Sequence, residues 1–106
     1  MPRKAMDILT ESMFYVLMAL CRGKKCGVDI VDYIDRLTKN RLQIGPATLY
    51  TILAKFEKER YIQEILVEGR KRTYRITEKG ITAYRIEVER LKQCVADATE
   101  GDEENV

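Results

Sequence analysis

The chain has 106 residues, 45% of them hydrophobic and 34% charged, which suits one globular domain. It holds no histidine, three cysteines and a single serine, so four-ligand zinc binding and base-assisted nucleophilic catalysis have almost no material. Neither an enzyme nor a metal or other cofactor is expected. The net charge of +2 hides an asymmetry: the last ten residues carry five acids and no base, which leaves +7 over residues 1–96. The basic excess concentrates between Lys39 and Arg75, and such a stretch suits a polyanion.

At the N-terminus, Arg3 and Lys4 precede the apolar run Met13 to Cys21, as in a leader peptide. Asp7 and Glu11 interrupt that pattern, and no A-x-A-like site follows. Nine apolar residues are also too few to span a bilayer, so a cytoplasmic protein without membrane contact is expected. Thr10 makes a good N-cap, and Met13, Phe14, Leu17, Leu20 and Cys21 recur at helical spacing, which predicts a first helix over 10–22. Gly27 opens a second helix, with Ile30, Val31, Ile34 and Leu37 on one face. Asp29, Asp32 and Asp35 lie opposite, as a solvated face rather than a metal site. The stretch "TKNRLQIG" breaks the pattern, and Leu42 and Ile44 suggest a short strand.

Gly45-Pro46 begins a third helix, because proline at the first helical position loses no hydrogen bond. At about 100° per residue, Leu49, Ile52, Leu53 and Phe56 share one apolar sector. Ala47, Thr51, Ala54 and Lys58 fall opposite, with Thr48 and Lys55 on one flank and Tyr50 on the other. This outer face is small, hydroxylated and cationic. Small side chains let a helix sink into the major groove, hydroxyls reach phosphates or base edges, and lysines release counterions. Two short helices ahead of it complete a helix-turn-helix arrangement. From Tyr61 the period changes: Ile62, Ile65 and Val67 form a β-rich run, "EGR" a turn, and Thr73 to Ile76 the return strand. Arg70, Lys71 and Arg72 sit at that hairpin's tip, where a wing can lay them along the DNA backbone or in the minor groove.

Thr77 and Glu78 start a last helix whose Ile81, Tyr84, Val88, Leu91 and Val95 step by three and four, as in a coiled-coil seam. The flanking Arg85, Glu87, Glu89, Arg90 and Lys92 leave a narrow apolar stripe, which suits a helix pairing two subunits. The segment "DATEGDEENV" has nothing to close into a core and is expected to be disordered. The fold expected is mainly α with a small β-hairpin. Residues 1–76 form a winged helix-turn-helix domain, 77–96 a dimerisation helix and 97–106 an acidic tail.

"GPATLYTILAKFEKERYI" followed by "GRKRTYRITEKG" resembles the signature of the PadR-type transcriptional regulators, and "MFYVLMAL" resembles their first helix. The likeness covers roughly Leu9 to Leu91. It implies a dimeric winged-helix repressor that binds a palindromic operator in double-stranded DNA. The family's DNA contacts carry over onto Thr48, Tyr50, Thr51 and Lys55, and onto the wing residues Arg70, Lys71 and Arg72. Two departures stand out: Thr73 replaces a frequent tyrosine, and the absence of tryptophan removes the aromatic sandwich of the multidrug-sensing branch. A repressor needs a second state, which a small aromatic effector could select between the first and last helices, near Met13, Leu17, Tyr84, Val88 and Leu91. Plain dimer core is the simpler role for those five. Oxidation of Cys21, Cys26 or Cys94 is the alternative switch, and reduced thiols the simpler reading. The competing reading of the whole chain is a winged-helix module that binds protein rather than DNA.

Overall fold

The computed structural model describes residues 8–104, and the side chain of Glu104 is outside that description. Its elements in chain order are α1 (Glu11–Cys21), β1 (Lys25–Cys26), α2 (Gly27–Thr38), α3 (Pro46–Lys58), β2 (Ile62–Glu68), β3 (Lys71–Ile76) and α4 (Glu78–Glu104). This is a winged helix: three helices, an antiparallel hairpin and a long closing helix, as the sequence pattern implies.

Thr10 caps α1, its hydroxyl oxygen accepting from the Met13 N–H at 3.2 Å. The apolar stripe of α1 then buries Met13, Val16, Leu17, Ala19 and Leu20. The chain leaves α1 through Gly23, whose φ of 138° is a conformation that L side chains rarely adopt. Two residues later Lys25 and Cys26 pair with Tyr74 and Thr73, so the hairpin becomes a three-stranded sheet of order β1-β3-β2. The strand expected at Leu42 and Ile44 does not form. That stretch is a turn entered through Lys39 and Asn40, both at positive φ, and Ile44 plugs the core directly. Periodicity could not have found β1, because two residues carry no pattern.

One core joins α1, α2, α3 and the roots of the wing, with Phe56, Leu17, Leu20, Ile30 and Ile34 wholly buried. Thr77 ties the root of the wing to the start of α4. The Thr77 hydroxyl donates to the Arg60 carbonyl at 2.7 Å, and its oxygen accepts from the Gly80 N–H at 3.1 Å. Any Cβ at Gly80 would overlap the Tyr61 carbonyl, so only glycine fits there.

Two expectations for the last helix are corrected. The acidic segment from Asp97 is helical as far as Glu104; only residues 105–106 of the expected tail lie outside the described structure. Ala96 and Ala98 favour helix, and Gln93 bonds Asp97 across one turn at 2.8 Å. Glu87 is not a solvated flank either: it is 2% exposed and grips the Arg90 guanidinium through two 2.7 Å hydrogen bonds. The first half of α4 therefore packs on its own domain, where Tyr84 stacks on Phe14 with ring centroids 5.3 Å apart. From Lys92 to Glu103 the side chains are exposed, except at Gly101.

Candidate nucleic-acid interface

α3 is held at a fixed rotation by its inner face. Leu49, Ile52, Leu53 and Phe56 are all buried, and Tyr61 just beyond packs its ring 5.9 Å from that of Phe56. Each buried side chain of this size contributes about 1.5–3 kcal/mol, so turning the helix to hide its polar side instead is strongly disfavoured. As a result Ala47, Thr48, Tyr50, Thr51, Ala54, Lys55 and Lys58 are exposed together. Tyr50 is 67% exposed, which leaves its ring and hydroxyl available to a partner. The Thr51 hydroxyl donates to the Ala47 carbonyl at 3.0 Å. Its remaining outward capacity is as an acceptor, which matches an amino group on a base edge better than a phosphate oxygen.

The wing stands beside this helix. Arg70, Lys71 and Arg72 are exposed around the turn at Gly69, which has φ 63°. Among the described residues Arg70 and Lys71 form no ion pair, whereas Arg72 reaches Glu64 at 3.5 Å. Such an exposed contact is worth little and leaves the guanidinium available. A cleft of about 940 Å³ separates wing and helix, lined by Val28, Asp29, Tyr50, Ala54, Glu57 and Arg70 to Arg72, among others. Its two acids make this flank mixed in charge rather than uniformly basic. Thr73, the departure from the family pattern, is 9% exposed and sits in the sheet opposite Cys26 and Leu66.

The seven residues expected to contact DNA thus lie on two neighbouring exposed elements. The five residues of the expected pairing stripe separate: Val95 is 66% exposed, while Ile81, Tyr84, Val88 and Leu91 are half-buried. The expected effector residues do not line one opening. Met13 and Leu17 are core residues, and the concavity between α1 and α4, about 340 Å³, is lined by Leu9, Phe14, Tyr15, Glu87, Arg90 and Leu91 with Thr10 and Glu11. Only Leu91 is common to both sets. Of the cysteines, Cys26 is buried and Cys94 exposed, and burial raises the Cys21 thiol above its ordinary pKa. Among the described residues no cluster could hold a metal ion, and no helix is long and apolar enough to cross a membrane.

Comparison with known proteins agrees with this layout. An uncharacterised protein of Lysinibacillus sphaericus is 32% identical over 79 residues, spanning 70% of this chain and 72% of its own. A transcriptional regulator of Clostridium thermocellum, Cth-833, superposes with a TM-score of 0.75 at 30% identity, covering 83% of this chain and 89% of its own. Bacillus subtilis PadR, solved in complex with operator DNA, has the same fold at 21% identity and a TM-score of 0.63, over 72% of this chain and 45% of its own. Residues 16–86, from the middle of α1 through the wing to the buried turn of α4, match the profile of the transcriptional regulator PadR-like family. That span takes in every element that shapes the exposed face of α3 and the basic wing, and the chain belongs to the PadR-like family of transcriptional regulators.

Proposed function

We propose that the protein is a cytoplasmic, dimeric, ligand-responsive repressor, whose two copies each set α3 in the major groove of a palindromic operator with the wing on the adjacent backbone. One observation carries the reading. The outer face of α3 combines exposed hydroxyls and lysines with small residues, and three exposed bases stand on the neighbouring turn. A single winged helix reads few base pairs, whereas two reach half-sites about one helical turn apart. The exposed far half of α4, with Val95 uncovered, offers the surface for pairing two copies. The α1–α4 concavity supports the effector part of the reading, since a ligand held there would touch the helix joining core to dimer surface.

Band shifts on the gene's own upstream region and on random duplex, repeated across salt, test the DNA reading. The repressor binds both with steep salt dependence and prefers the former. The competing reading, a module that docks on protein, draws on Ile65, Leu66 and Val67, three consecutive exposed hydrophobic residues on edge strand β2. Absence of DNA binding at every salt concentration would favour that module.

A further inference from the structure

The wing attends to one flank of α3, and the structure has a second concavity on the other. It measures about 370 Å³ and lies between the start of α1 and α3, where Thr10, Ser12, Thr48, Thr51 and Lys55 converge. Tyr50, Ala54 and Glu57 face the wing cleft, while Thr48, Thr51 and Lys55 face this one. At about 100° per residue, the centres of those two sets are separated by roughly 125° around the helix. Lys58 projects between them, with Ala54 on the wing side and Ala47 and Thr51 on the other. A helix about 10–12 Å across fills a major groove about 12 Å wide, so both bordering backbones meet the protein.

The chemistry of the second concavity differs from that of the wing cleft. No acid lines it among the described residues. Glu11 follows Thr10 directly, but Arg41 holds its carboxylate at 3.1 Å, and Glu11 lines the α1–α4 concavity instead. Arg41 also bonds the Tyr15 hydroxyl at 2.9 Å, which fixes the guanidinium against α1. Thr10 already accepts from the Met13 N–H, so its hydroxyl proton is free to donate outward. Hydroxyl donors around one lysine, with the neighbouring acid held aside, suit a phosphodiester oxygen.

We infer that α1 supplies a second backbone clamp: Thr10 and Ser12, with Thr48 and Lys55, seat a phosphate of the strand bordering the groove opposite the wing. This rests on the DNA reading and adds to it a contact from α1.

The test is fluorescence anisotropy of the full chain on a random duplex and on its own upstream region. The variants are Ser12→Asp, Ser12→Lys and, as reference, the alanine triple at Arg70, Lys71 and Arg72. An acid in the first turn of a helix favours folding, so Ser12→Asp keeps or raises the melting temperature. It should nonetheless weaken binding to both duplexes on the order of tenfold at low salt, through repulsion of one phosphate. Ser12→Lys should tighten both and steepen the salt slope by about one unit. Wild-type affinity in both Ser12 variants, with the wing triple impaired, would remove α1 from the interface while leaving the DNA reading intact. If wild-type protein binds neither duplex, the seat and the DNA reading fall together.

Discussion

α3 and α4 are both amphipathic, but the monomer treats them differently. Every apolar side chain in the inner sector of α3 is buried, so what it leaves outside is small, hydroxylated and cationic, with the ring of Tyr50 beside it. α4 is anchored only through its first turns. Gly80 meets the wing root, Tyr84 meets Phe14, and Glu87 is buried with Arg90. Beyond Leu91 it leaves the domain, and Val95 there is uncovered, as is Ile86 on the outer side of the anchored half. An exposed face that is polar awaits a polar partner, and one that keeps apolar side chains in water awaits an apolar one. This contrast supports the proposed roles of α3 toward DNA and of α4 toward a second copy of the chain.

The contrast can be broken at either helix. The largest effect is expected in α4, where Val88→Asp with Leu91→Asp puts two unpartnered charges at half-buried positions that border the pairing surface. Sedimentation should show monomer or unfolded chain, and operator binding should vanish although α3 and the wing are untouched. The wing triple to alanine comes next. Each exposed change costs within about 0.5 kcal/mol of stability, so the melting curve should hold. Affinity at low salt should still fall at least tenfold as up to three phosphate contacts disappear. An early melt would mark the turn as structural instead.

Arg90→Ala probes the anchored half of α4. It withdraws the guanidinium from a carboxylate that is almost wholly buried, which lowers stability. Arg90 is itself 36% exposed, and solvent screening limits the loss. Thermal melting should register it, and an unchanged midpoint would show that the first half of α4 contributes little to the fold. Lys55→Ala and Thr51→Ala give the finest discrimination. The first should weaken binding on any sequence and flatten the salt slope by about one unit. The second should act more on operator than on random DNA, because its outward oxygen is suited to a base edge. Equal loss on both duplexes would reduce Thr51 to a backbone contact.

Much of this architecture is legible in the residues, and where it is not, the reason is physical. The rotation of α3 follows from four apolar side chains at helical spacing, and the wing from a change to period two around a glycine turn. β1 escapes because two residues have no period; only the completed hairpin reveals an edge for Lys25 and Cys26 to join. Glu87 escapes because a lone acid on a charged helix reads as solvated. The signal was present in Arg90 three residues on, with Gly80, Tyr84 and Leu91 sharing its face. The concavity at Ser12 is tertiary: Thr10 and Ser12 lie more than thirty residues from Thr48 and Lys55 in sequence, and only packing brings them together.

Hydroxyl-radical footprinting of the wild-type protein on its own upstream region tests the central claim most directly. A dimer carrying two copies of α3 should protect two symmetric patches on one face of the duplex, with centres about 10–10.5 base pairs apart. A single protected patch, or protection that spreads evenly without preference for any position, would contradict it.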